Sequence, residues 1–211
     1  MLNLFEMIAR GGILMVPIIF CSVLSLAIII ERVISLNRAQ IDTREFMGSI
    51  EDVLRRNKIL ETIGICEKGR GPIPRVLKSG ILKHDRSREE IKEAMEDASS
   101  FEVPYLEKYL AILVTIATIA PLLGLLGTVT GLIRAFMVIQ LKGGLVNPGD
   151  LARGIWEALI TTVAGLVVAI PTYIAYNYFV SRVNGFITEM EKSATRLLDI
   201  FSLRERNEEI R

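Results

Sequence analysis

Three stretches of the chain are predominantly apolar. Gly12 to Ile30 carries no ionisable side chain and stops at Glu31-Arg32, and the others run from about Leu110 to Ile139 and from about Ile155 to Val180. A hydrocarbon core of about 30 Å is spanned by about 20 residues of helix rising about 1.5 Å each, so all three predict transmembrane helices. Elsewhere the apolar positions are periodic. Asp42-Thr43-Arg44-Glu45 reads as a capping box, and Phe46, Ile50, Val53 and Leu54 then share one helical face. A short helix over Ile59 to Glu67 ends at the breaker cluster Lys68-Gly69-Arg70-Gly71-Pro72, and Ile73 to Leu82 predicts another. Ser87-Arg88-Glu89-Glu90 is a second capping box with no stop signal behind it, which predicts one helix from about Arg88 to Ile139, kinked at Pro104 and Pro121. Past the third apolar stretch, Val183, Ile187, Met190, Ala194, Leu197 and Phe201 alternate spacings of four and three. Such a seam continues the helix beyond the bilayer and packs it on a neighbour, before a frayed, charged tail from Arg204. The predicted fold class is an all-α membrane protein with three transmembrane helices and long helices extending into a cytoplasmic helical bundle.

Composition agrees with a membrane protein: 51% of the 211 residues are hydrophobic, and mean hydropathy is +0.42. The 25 basic and 24 acidic residues nearly cancel, which removes any global pull toward nucleic acid. Local charge orients the chain. Within about 20 residues of the span ends, one side holds Arg32, Arg38, Arg44, Lys92, Lys108, Arg182, Lys192 and Arg196, and the other Arg10, Lys142 and Arg153. That asymmetry predicts an outer N-terminus over 1–11, spans at 12–30, 110–139 and 155–180, a cytoplasmic region over 31–109, an outer loop over 140–154 and a cytoplasmic C-terminal helix and tail over 181–211. The first span is long for a signal-peptide core and no small-residue cleavage site follows it, so it reads as a retained anchor. Arg134, about a turn inside the outer end of its span, reads as a snorkelling side chain.

Cys21 and Cys66 suggest neither a disulfide framework nor a metal site, and His84 reads as a solvated loop residue. The sequence offers no nucleophile, base and phosphate-loop constellation, so we expect neither an enzyme nor a cofactor or metal. Close helix packing in lipid relies on small side chains. Ala117, Pro121, Gly124, Thr128, Gly131 and Ala135 form such a stripe on the second span, with Gly127 beside it, and Ala158, Thr162, Gly165 and Ala169 form one on the third. Each stripe suits a partner helix or copies of this chain. The threonines at 115, 118, 128, 130, 161, 162 and 172 either bond the carbonyl a turn back or, at Thr128 and Thr162 within the stripes, line a path. Glu157 is the only acidic residue of the last two spans and lies near the outer boundary, either as an interfacial glutamate or as a functional carboxylate. Thr161 follows it by one turn, whereas Thr162 lies about 140° around the helix and need not share its face. No titratable group sits near the midplane, so either no protons pass or a partner helix brings the missing carboxylate.

The segments APLLGLLGTVTGLIRAF (120–136) and GIWEALITTVAGLVVAIPTYIAYN (154–177) resemble the paired helices of the MotA/TolQ/ExbB proton-channel family. ERVISL after the first span and the long loop between the first two spans resemble its ExbB/TolQ branch. The resemblance implies a multi-pass protein of the bacterial inner membrane that forms a homo-pentamer around single-span helices of an ExbD/TolR-like partner. It further implies that the partner's aspartate carries the proton and that a TonB- or TolA-like protein is worked. Carried over by motif, Thr128 and Thr162 face that aspartate, and Glu157 matches the family's membrane glutamate. Thr130 and Arg134 depart from the branch, which often has a tryptophan and an uncharged polar residue there. The alternative is a passive scaffold that assembles the partner without lining an ion path. A MotA-type stator fits poorly with three spans and a short cytoplasmic region.

Overall fold

A computed structural model of the chain describes residues 11–141 and 148–209. Over these the elements are helices: α1 (Met15–Ala39), α2 (Thr43–Arg55), α3 (Ile59–Lys68), α4 (Pro72–Leu82), α5 (Arg88–Leu106), α6 (Leu110–Leu141) and α7 (Pro148–Glu209). Three helical stretches, carried by α1, α6 and α7, are long and apolar enough to cross a membrane. The two boxes cap their helices. Asp42 Oδ1 accepts from the backbone N–H groups of Arg44 (3.0 Å) and Glu45 (3.1 Å), and Ser87 Oγ accepts from that of Glu90 (3.2 Å).

The helix expected from Arg88 to Ile139 is two helices. Tyr109 has φ +67°, outside the right-handed helical region, so the ladder cannot pass through it. Glu107 N–H still reaches Val103 O (3.0 Å), whereas Tyr109 O already accepts from Ile112 (3.1 Å) and Leu113 (3.2 Å), opening α6. Pro104 and Pro121 lie inside α5 and α6. The tail also differs, since helix continues from Arg204 to Glu209.

The chain divides into two compact units. The first comprises Met1–Glu31 and Tyr109–Tyr178. Its core joins Ile18 of α1, Ile116 and Ala120 of α6, and Val168 and Ala169 of α7, with Cys21, Leu24, Leu123 and Ala164 packed around them. Much of its outer surface is large and apolar, including Phe20, Leu125, Phe136 and Val167. Such a face belongs in lipid or against other apolar helices.

The second unit comprises Arg32–Lys108 and Phe179–Arg211. Ile50 and Leu54 of α2, Val76, Leu77 and Ile81 of α4, and Ile91 and Met95 of α5 form its core. Val183, Met190, Leu197 and Phe201 of the predicted seam are buried with them. The neighbour of that seam is therefore partly the chain itself: Leu197 Cδ2 lies 3.3 Å from where a Cβ on Gly80 of α4 would be. Ion pairs join the rim, among them Arg196 with Glu51 (2.7 Å) and Arg75 with Glu102 (2.9 Å). Arg196, then Arg55, holds the Glu51 carboxyl below the usual carboxylate range. Arg32 is 2% exposed, and its Nη1 donates to the carbonyls of Tyr105 (3.2 Å) and Leu106 (3.4 Å). These are the last carbonyls of α5, which lack helical partners and carry the negative end of its dipole, a favourable seat for a buried guanidinium.

Candidate functional site

In the first unit α6 and α7 run antiparallel at backbone contact, and their glycines permit it. A Cβ on Gly124 would lie 2.9 Å from Thr162 Cα, one on Gly131 would lie 2.8 Å from Gly154 O, and one on Gly165 would lie 2.5 Å from Ala120 O. A Cβ on Gly127 would collide with the Thr161 hydroxyl. The stripes read from the sequence thus meet each other within one chain.

The three predicted polar residues have different partners. Thr162 is half-buried and its Oγ1 donates across the helix pair to Gly124 O (3.0 Å). Thr128 is half-buried on α6 and its Oγ1 donates to Leu125 O (2.6 Å) on its own helix. A hydroxyl that donates its one proton in this way keeps lone pairs that can accept. Glu157 pairs with Arg134, joining α7 to α6. The carboxylate is 18% exposed and the guanidinium 53%, so the acid sits inside while its cation reaches outward. Arg134 is therefore not only a snorkelling side chain.

A third segment closes on the pair. Gly12, at φ +67°, precedes α1, and a Cβ there would collide with Glu157 Oε1 and lie 3.5 Å from Arg134 Nη1. A side chain at position 12 would therefore exclude the carboxylate. Beneath the pair lies a cavity of about 120 Å³ lined by Gly11, Gly127, Thr130, Arg134, Glu157 and Thr161, among others. Thr161 Oγ1 donates to Ala158 O (2.8 Å) and Thr130 Oγ1 to Leu126 O (3.0 Å), leaving both oxygens able to accept. Thr161 shares the pocket with Glu157, whereas Thr162, one residue on, faces Gly124. Sequence reasoning had the angular signal for this split in the helical period, but it missed the Arg134 pairing and the part of Gly12. Only their proximity in space reveals those.

The sequence has recognisable relatives. The model of the family described as the MotA/TolQ/ExbB proton channel family matches residues 68–192. The chain belongs to that family. It is 34% identical over 170 residues to the putative biopolymer transport protein ExbB-like 3 of Synechocystis, covering 80% of this chain and 81% of that protein. It is 31% identical over 199 residues to the Tol-Pal system protein TolQ of Haemophilus influenzae, covering 87% of each. A putative ExbB homolog of Methanothermobacter thermautotrophicus is 28% identical over 190 residues, covering 90% of this chain and 67% of that protein. These relatives bear out the ExbB/TolQ resemblance. With three apolar helices, membership makes this ExbB/TolQ-type chain a multi-pass protein of the inner membrane with a proton-channel role in energy transduction.

Proposed function

We propose that this ExbB/TolQ-type chain is the oligomeric motor subunit of a complex with an ExbD/TolR-like single-span protein. It converts proton motive force into work on a TonB- or TolA-like protein. The observation that carries this reading is the absence of any acidic side chain except Glu157, near one end, from the second and third spans at 110–139 and 155–180. A proton path through lipid needs a titratable group deeper in the membrane, and a partner helix is its natural source. Thr128 and Thr162 keep acceptor lone pairs and are half-buried, so a partner carboxylic acid or water can use them. Self-association around that partner, with a homo-pentamer as the family's arrangement, supplies the enclosing wall that one chain lacks. The basic asymmetry supports an orientation with the second unit and the C-terminus in the cytoplasm and the Glu157 end outside.

One observation favours the passive scaffold instead: the hydroxyls of Thr115, Thr118, Thr128, Thr130, Thr161, Thr162 and Thr172 in the second and third spans already donate to backbone carbonyls, as structural threonines do. Substitution separates the two. Thr128→Val should leave membrane insertion, oligomer size and partner co-purification intact while lowering proton-dependent work at least about ten-fold, because valine keeps the shape and loses the acceptor. Thr162→Val also removes the bond to Gly124 O, costing about 0.6 kcal/mol on average for bonds of this kind, so Thr162→Ser is its control and should retain activity. Full activity in both valine variants would leave the hydroxyls a backbone role and support the scaffold.

A further inference from the structure

We propose that Arg134 is a positioning residue, which holds the Glu157 carboxylate over a hydrated pocket formed between α6, α7 and the lead-in to α1, so that protons enter that pocket through Glu157. The inference rests on the ion-path reading above and goes beyond it, since that reading assigns Arg134 no part.

Three observations converge. The ion pair joins α6 to α7, with the acid the more buried partner. Gly12 gives up its side chain at the position where the carboxylate lies, so the lead-in to α1 closes over the pair without displacing it. The cavity beneath is lined by groups that water can use: the carboxylate, the guanidinium, and the Thr130 and Thr161 oxygens, whose protons are directed to the backbone. A pocket of about 120 Å³ with several polar partners has room for more than one water. Gly127 contributes by absence, because any Cβ there would occupy the place of the Thr161 hydroxyl.

Among the described residues, the charged groups facing Glu157 are Arg134 from α6 and, one turn back on α7, Arg153, which lines a neighbouring cavity with both of them. The described residues of the α1 lead-in, from Gly11 to Leu14, bring none. Arginine stays protonated throughout. In the proposed step an outer hydronium ion gives its proton to a Glu157 oxygen as the ion pair parts and becomes water, and the carboxylic acid then passes the proton to a pocket water, which becomes hydronium as the pair re-forms. The guanidinium neither gains nor loses a proton.

The test uses the full chain with its native partner in vesicles, with Cys21 and Cys66 replaced by alanine. Two quantities are read: proton flux by a pH-sensitive dye trapped inside, and the rate at which Thr130→Cys reacts with a small methanethiosulfonate added outside. Flux is measured with Thr130 intact and thiol reactivity in the cysteine background. Arg134→Gln should lower flux at least about ten-fold and raise the modification rate at least about ten-fold. Arg134→Lys should stay within about three-fold of the parent in both, and the exchange Arg134→Glu with Glu157→Arg should restore slow modification. Unchanged flux and reactivity in Arg134→Gln would overturn the proposal and leave Arg134 an interfacial cation. If reactivity rises while flux persists in both Arg134→Gln and Glu157→Gln, the clasp exists but Glu157 is not on the path, and the proposal fails. A parent that carries no flux at all would overturn the ion-path reading itself, and the thiol rates would still report whether Arg134 holds the pocket shut.

Discussion

Thr161 and Thr162 adjoin in the chain, yet one lines a pocket with Glu157 and the other donates to Gly124 O on the facing helix. A rotation of about 100° per residue makes neighbours on a helix belong to different surfaces, and this much was legible in the sequence. What was not legible is which charge would come to Glu157. Arg134 lies 23 positions away and looks, in a linear reading, like any basic residue near a span end. The cysteines carry their own signal. Cys66 is buried in α3, and burial pushes its thiol up to about 11. The thiolate is the reactive form, so at pH 8 iodoacetamide should modify Cys66 at least about a hundred-fold more slowly than a free thiol with a pKa of about 8.5. Mass spectrometry of the folded protein in detergent checks this, and rapid labelling would mean that α3 opens readily.

At the scale of the helices, prediction succeeded where chemistry announces an end and failed where geometry alone makes one. Asp42 and Ser87 carry side-chain acceptors, and their helices begin where those residues stand. The break between α5 and α6 falls at a tyrosine with φ +67°, a conformation normally signalled by glycine or asparagine, so the sequence gives no mark of it. The glycine stripes were visible as spacing, but their partners were not: the contact is between α6 and α7 of one chain, where a stripe alone suits a second copy equally well. Gly131→Leu should therefore damage the protomer before it damages any assembly. With Gly154 O and Ala158 Cβ already at 2.8 and 2.9 Å from a bare Cβ, the larger side chain forces the helices apart. Overpacking costs about 1–3 kcal/mol in well-packed cores, and melting in detergent should show at least that loss. Gly48→Ala is the contrast, because α2 has nothing within 4 Å of the added Cβ. It should stabilise by up to about 1 kcal/mol through helix propensity. A Gly131→Leu protein that melts like the parent would show that the two helices do not pack at this contact in the membrane.

For the whole molecule, hydropathy and charge carry separate information. Apolar length finds the spans, and tyrosines mark one of their ends: all five, Tyr105, Tyr109, Tyr173, Tyr176 and Tyr178, fall near the close of α5, the start of α6 or the last turns of the third span. Tyrosine favours the membrane–water boundary on either face, so the cluster locates an interface without naming the side. Basic residues name it. Arg32, Lys108 and Arg182 lie at the tyrosine-marked end, and the general retention of lysine and arginine on the cytoplasmic side supports the proposed orientation, with that end inward. The consequence can be tested without disturbing packing, in a chain whose own cysteines are replaced by alanine. His84 is exposed beyond α4, and Gly149, in the first turn of α7, has open space around an added Cβ. An impermeant maleimide given to cells with a permeabilised outer membrane should label Gly149→Cys at once and His84→Cys only after lysis. The opposite pattern would put Glu157, Arg134 and their pocket on the cytoplasmic side. Protons driven inward would then meet the Thr128 and Thr162 level before the carboxylate, and Glu157 would belong to the exit of the path instead of its entrance.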